Sequence, residues 1–253
     1  MANSLTFNSI DLADYGLIVN SSNIPNFNQV YDSVLIKDIS YGFVPKKPPK
    51  TMQFEITVLA DTRAILDGYL DSIKSVIASE TAKALAVDTI TDRYWNAKLN
   101  GGLKGRYNGP SMFEGAITFV ADDPMAYDNT ETDSDHTINA SPDTVIETPG
   151  GTGYIYPVWT LTPGENRTAT IILENLTTDE EMQWTGTVSS GHDLVINSKT
   201  WHVTDNGVAS MGEVVAGSVF PRLAPGIANS IKVTALYNAV NGNLNVTYRN
   251  RYL

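Results

Sequence analysis

The chain has 253 residues, 42% of them hydrophobic, no cysteine, and a formal net charge of −11 from 17 basic and 28 acidic residues. That apolar content sustains one large all-β domain or two ordinary domains and excludes wholesale disorder. The charge argues against affinity for nucleic acid or an anionic membrane, and the missing thiols exclude disulfides, thiolate catalysis and zinc–sulfur sites.

The N-terminus, MANSLTFNSIDLADYG, has neither the basic nor the apolar region of a signal peptide. No apolar run approaches the roughly 18 residues of a membrane span. VLIKDISYGFV (34–44) and MQFEITVLA (52–60) read as strands flanking the loop PKKPPK. In 61–79, Ile65, Tyr69, Ile73 and Ile77 recur every four residues, joined by Leu66, Leu70 and Val76. This spacing predicts an amphipathic helix packed on a sheet, with Asp61 or Thr62 as its N-cap. YWNAKLN (94–100) runs into a Gly101-Gly102 turn, and MFEGAITFVA (112–121) alternates as a half-buried strand. Gly115 marks a bulge or a point of close packing there.

After Val120 the texture changes to polar and acidic, and 121–136 reads as a linker. Dividing at 133/134 gives a first domain, 1–133, of net charge −6 and a second, 134–253, of net charge −5. The second domain offers strands but no helix: 154–161, 168–175, 182–188, 193–197, 199–203, 229–237 and 243–252. Asn206-Gly207 and Asn241-Gly242 are its strongest hairpin signals. Many short strands with regular turns predict a β-sandwich or jelly roll.

Candidates for chemistry are few. His136 lies in the acidic stretch, His192 reads as a turn and His202 as part of a strand, and no nucleophile signature accompanies any of them. Asp128, Glu131, Asp133 and Asp135 crowd together without the glycine or closing glutamate of an EF-hand, so a solvated acidic linker is expected. Gly150–Gly153 lacks the Lys-Ser/Thr of a phosphate loop and precedes a strand. Lys46, Lys47 and Lys50 are interleaved with prolines and read as a charged hairpin tip. Trp159, Trp184 and Trp201 each sit in a predicted strand beside apolar residues, so core packing is expected of at least two. VFPRLAPGIANSIKV (219–233) has two prolines, Gly226 and, before the strand that starts at Asn229, a single charge, Arg222, and its loop reads as a turn of the sandwich rather than a site.

LTFNSIDLADYGLIV, the helix at 61–79 and GAITFVADDPMAY together resemble the N-terminal domain of distal tail proteins (Dit) of long-tailed, non-contractile bacteriophages. YPVWTL (156–161), HDLVINSKTWHV (192–203), FPRLAPGIANSIKV (220–233) and LNVTYRNRYL (244–253) resemble, in order, the galectin-like sandwich that ends these proteins. The ordered set covers essentially the whole chain and is most similar to the short form of phages infecting Gram-positive hosts such as Bacillus. The resemblance implies a mainly β fold: an N-terminal β domain with one helix, then a galectin-like jelly roll. It implies a structural virion protein at the distal end of the tail, made in the host cytoplasm. Its homo-hexameric ring would join the tail tube to the tip and leave a channel for DNA.

The partners implied are the major tail (tube) protein, the tape measure protein and a tail-tip or receptor-binding protein. No enzyme activity, cofactor, membrane insertion or specific nucleic-acid binding is implied. A duplex cannot pass through a single small β domain filled by its own side chains, so a conduit must be the hole of a cyclic assembly. An acidic wall would let DNA pass without sticking. No arm-like insertion of the kind some family members carry interrupts the second domain. Catalytic, cofactor-binding and metal residues are expected to be none, and no ring-interface residue is assigned.

An alternative reading is a carbohydrate-binding adhesion module that contacts host cell-wall glycans. Val195-Ile196-Asn197 and Trp201 echo a galectin site, but Trp201 is followed by His202, Val203 and Thr204, without Glu-x-x-Arg. No Asn-Pro-Arg triplet is present either. A hydrolase resting on His192 and His202 is the most distant reading.

Overall fold

A computed structural model describes residues 4–24, 33–36, 39–42, 48–236 and 242–253. The fold is mainly β, with one α-helix among the described residues. Contacts divide it into two compact units, Met1–Asn129 with Leu253, and Thr130–Tyr252.

The first unit contains strands β1 (Leu5–Phe7), β2 (Ile10–Asp11), β3 (Leu17–Asn23), β4 (Ser33–Ile36), β5 (Ile39–Gly42) and β6 (Lys50–Leu59). Helix α1 (Arg63–Ile77) follows, then β7 (Lys83–Val87), β8 (Ile90–Leu99), β9 (Lys104–Tyr107), β10 (Met112–Ala121) and β11 (Ala126–Asp128). Sheet order runs β2-β1-β7-β8-β10-β6-β3. Strand β10 pairs along its whole length with β6, while its other edge is shared: Phe113–Ala116 pair with β9, and Phe119 and Val120 with β8. The stretch 34–44, expected as one strand, holds β4 and β5 paired antiparallel with each other. Residues 37–38 and 43–44 lie outside the described residues.

Thr62 caps α1, its Oγ1 accepting from the N–H of Ile65 at 3.3 Å. The buried stripe is Leu66, Leu70, Ile73 and Ile77, whereas Ile65 is 41% exposed. Spacing of 4, 3 and 4 follows the 3.6-residue turn; a strict step of four drifts off the buried face within two turns. Phe7, Phe54 and Phe119 form an aromatic cluster in the core of this unit, with centroids 5.1 and 6.1 Å apart.

Gly115 makes no bulge, because the β10–β6 register is unbroken through it. It faces Gly105 across the β9–β10 pair under the Phe113 ring. A Cβ on Gly105 would lie 2.2 Å from the Glu114 carbonyl oxygen, and one on Gly115 2.4 Å from that of Lys104. Close packing is therefore the reason for both glycines.

In the second unit the strands are β12 (Thr132–Ile138), β13 (Asp143–Glu147), β14 (Val158–Pro163), β15 (Arg167–Asn175), β16 (Glu180–Val188) and β17 (Leu194–Asn197). They continue with β18 (His202–Asp205), β19 (Val208–Ala209), β20 (Asn229–Leu236), β21 (Gly242–Tyr248) and β22 (Arg251–Tyr252). One sheet has the order β12-β21-β14-β17-β18-β19 and the other β13-β20-β15-β16. Inward residues of both sheets, including Trp159, Leu161, Ile171, Trp184, Ile231 and Val246, make one buried core. Each strand keeps a wetter outer face, as two packed antiparallel sheets require.

The acidic stretch expected as a linker contains β11 and β12. Along β12, Thr132, Ser134 and His136 are half-buried while Asp133, Asp135 and Thr137 are exposed. That is period-two patterning on an edge strand, and the aspartates are its solvent face. Asn206 and Gly207, at φ 47° and 78°, close the β18–β19 hairpin as their sequence predicts. Asn241, of the second hairpin signal, lies outside the described residues.

Candidate functional site

The three histidines do not converge on a nucleophile. His192 donates its backbone N–H to the Ser189 carbonyl in a turn, and His202 is exposed at the start of β18. His136 lies within strand β12, where its Nε2 sits 2.5 Å from Oε1 of the buried Glu147. Tyr248 donates its hydroxyl to the other oxygen of Glu147 at 3.1 Å. Burial, together with that carboxylate, pushes the Tyr248 phenol up to about 12.

The four acidic candidates are spread by the strands. Asp133 and Asp135 accept from the amides of Asn245 and Asn243, and Glu131 pairs with Arg249 at 3.2 Å. Those amide bonds hold the Asp135 carboxyl below the usual carboxylate range. No group of three or more potential metal ligands forms among the described residues. Lys46 and Lys47 lie outside the described residues, while the Lys50 ammonium sits 5.0 Å above the Trp95 ring. Gly151 packs against the Arg251 backbone, where a Cβ would meet the carbonyl oxygen at 2.4 Å.

The tryptophans divide. Trp159 and Trp184 are buried, their indole N–H groups donated to Ser198 Oγ at 3.0 Å and Ser210 Oγ at 2.9 Å. Trp201 is 69% exposed and belongs to the four-residue turn between β17 and β18, not to a strand. Its backbone is left-handed, at φ 55°, a region that a bulky L-residue rarely occupies. Asn197 holds this turn by accepting from the backbone N–H groups of Lys199 and Thr200, both at 3.0 Å.

Beside Trp201 opens a cleft of about 390 Å³, lined also by Tyr156, Glu180, Ser218, Val219, Phe220 and Arg222. Three of these residues come from the loop read as a plain turn of the sandwich. The loop does reverse the chain, with Gly226 at φ 70°, but it also forms one wall of a site. Its backbone is fixed by buried side chains. Asn229 accepts from the N–H of Ala224 at 2.8 Å and donates to the carbonyls of Ala224 and Ile227 at 2.9 and 3.0 Å. Asn175 donates to the Arg222 carbonyl at 2.5 Å and to Asn229 Oδ1 at 3.1 Å. Ser198, which takes the Trp159 N–H, donates in turn to the Pro221 carbonyl at 2.8 Å.

Arg222 and Glu180 form the charged floor. Oε1 of Glu180 accepts from Arg222 Nε at 2.6 Å and Nη2 at 2.5 Å, and Oε2 accepts from the Arg222 backbone N–H at 2.8 Å. The Arg222 guanidinium lies 4.5 Å from the Tyr154 ring centre. Burial opposes the charge, but hydrogen bonds and charge from Glu180, with a further contribution from Tyr156, outweigh it, so the guanidinium stays protonated more firmly than usual. Sequence spacing could not assemble this site. Glu180, Arg222 and Trp201 belong to three separate segments and meet only because β16, the 219–229 loop and the β17–β18 turn are neighbours.

Residues 150–252, most of the second unit but without β12 and β13, match the family described as siphovirus-type tail component, C-terminal domain, of the SPP1 Dit type. The second unit is thus similar to the C-terminal domain of Dit-type tail components. The whole chain superimposes over 100% of its length on 100% of the SPP1 Dit (gp 19.1) protein, with a TM-score of 0.78 and 14% identity. That protein is described as a paradigm of the hub adsorption apparatus of phages infecting Gram-positive bacteria. Two baseplate structures of phage p2 in its activated conformation, with calcium and with strontium, are also similar in fold. They give TM-scores of 0.54 and 0.53 at 9% identity, covering 99% and 97% of this chain and 98% and 97% of those chains. No curated protein matches at the level of sequence.

Proposed function

We propose that the chain forms a homo-hexameric ring, the hub that joins the tail tube to the host-adsorption tip and leaves a central channel for DNA. The first domain, residues 1–133, builds the ring and the second, residues 134–253, lies outside it as a galectin-like sandwich. The observation that carries this reading is the likeness of the whole chain, through both units, to a protein described as an adsorption hub. The net charge of −11 suits a conduit that DNA traverses without binding. Its neighbours are the tube protein and the tape measure protein on one side and a tail-tip or receptor-binding protein on the other. The role is structural rather than catalytic, and the chain is made in the host cytoplasm before assembly.

Native mass spectrometry of the purified chain, with negative-stain microscopy of the same sample, tests the reading. Six-fold rings are expected; a strict monomer at every concentration and salt overturns the ring.

A further inference from the structure

We propose that the cleft beside Trp201 is a saccharide site, in which one pyranose ring stacks its C–H face on the exposed indole and its hydroxyls meet Arg222. The proposal concerns the second unit alone and does not depend on the ring.

Three features converge. The first is backbone conformation. Trp201 occupies the last position of a four-residue hairpin loop, at φ 55°, where glycine or asparagine is the usual occupant. An aromatic residue held there, and 69% exposed, is not selected by the turn. The second is shape. The indole borders a concave site of about 390 Å³ shared with Phe220, Val219 and Tyr156, within the range of small-ligand pockets. Aromatic rings edging a concave site offer an apolar face to stack on and a polar rim to orient the guest.

The third feature is charge and hydrogen-bonding sense. Arg222 is neutralised by Glu180 at 2.5–2.6 Å, so the floor carries no net charge to select an ion. Glu180 is already occupied: Oε1 takes two bonds from the guanidinium, and Oε2 takes one from the Arg222 backbone and one from Thr178 Oγ1 at 3.0 Å. The hydroxyl of Ser218 is engaged with both the N–H and the carbonyl of Gln183. A guanidinium has five N–H donors; Glu180 takes two and the Tyr156 hydroxyl oxygen accepts from another, which leaves two donors and the Tyr156 O–H for a guest. The floor is thus rich in donors and poor in acceptors. A peptide backbone needs both in alternation, whereas a ring of hydroxyls accepts from a guanidinium while pointing its own protons to water. A neutral, polyhydroxylated ring with one apolar face fits that pattern.

The intact chain reports on this site directly. Trp95, Trp159 and Trp184 are buried, so acrylamide quenching of tryptophan fluorescence reads Trp201. The probes are glucose, galactose, N-acetylglucosamine and N-acetylgalactosamine with their tri- and tetrasaccharides, each to about 20 mM, above the millimolar dissociation constants typical of a one-ring contact. At least one is expected to shield Trp201 saturably. By saturation-transfer NMR on that ligand, Trp201→Ala is expected to weaken binding roughly tenfold or more, and Trp201→Phe to retain part of it. An unchanged circular dichroism spectrum checks that each variant remains folded. Failure of every probe to shield Trp201, or undiminished binding to folded Trp201→Ala, overturns the proposal. So does shielding by another tail protein alone, which would assign the face to protein docking. The oligomeric state of the same sample, measured separately, keeps this outcome distinct from failure of the ring.

Discussion

Two consecutive hairpins of the second unit turn the chain by opposite means. Between β18 and β19 the left-handed positions are held by Asn206 and Gly207, residues that occupy that region at little steric cost. Between β17 and β18 a left-handed position is held by Trp201, with its ring in water. The first choice follows from chain reversal alone. The second departs from turn chemistry, and beneath it lies a loop whose polar groups are tied down by Asn229, Asn175, Ser198 and Glu180. Such a contrast, a strained and exposed residue on a heavily braced support, is what a recognition surface requires and a bare turn does not.

Removing the support should have the largest effect. Asn229→Ala strips several buried backbone partners at once, and a loss of about 3 kcal/mol is expected in chemical denaturation. A loss below half that figure would mean the loop is not braced as described. Arg222→Met leaves the buried Glu180 without its charge partner. It should cost about 2 kcal/mol, less than a fully buried pair because the guanidinium side chain is one-third exposed.

The hairpins themselves should respond with opposite signs. Gly207→Ala places a Cβ on a left-handed residue and should destabilise by about 1 kcal/mol. Trp201→Gly removes that same conflict and should stabilise by up to about 1 kcal/mol while abolishing any saccharide binding. Equal signs in differential scanning calorimetry would erase the contrast between the two turns.

The smallest effect lies away from both hairpins. The folded-state pKa of Tyr248 is raised to about 12, against an ordinary value of 10.0, because the neutral phenol is favoured by burial and by Glu147. The native state therefore holds this proton longer than the unfolded chain does. Its contribution is complete below pH 10 and is lost as pH rises through 12. Absorbance titration of the folded chain should show one tyrosine ionising late, and Tyr248→Phe should remove that late step.

Much of the fold was legible because it rests on local patterning. Strand β10 and the Asn206-Gly207 hairpin lie where alternation and turn chemistry predict them. The helix was placed by its apolar repeat, although the repeat over-weighted Ile65, which the 3.6-residue turn carries off the buried face. The edge strand β12 was hidden because its outward aspartates give it the composition of a linker. Trp201 reads as strand because Trp, Thr200 and Val203 are strand-forming residue types, whereas its backbone is set by the hydrogen bonds of Asn197. The cleft was invisible for a different reason. Glu180 and Arg222 are 42 residues apart in the chain, and no periodicity connects them. The resemblance to distal tail proteins, by contrast, rests on short motifs in order along the chain, and the family match over 150–252 agrees with it for the second unit.

The proposed hub role is tested most directly by a cryo-electron microscopy map of the intact tail with this chain placed in it. The account predicts six copies around the tail axis where the tube meets the tip, with the first unit lining the channel and the second outside it. Density for the chain away from that junction, or in a single axial copy, would contradict it.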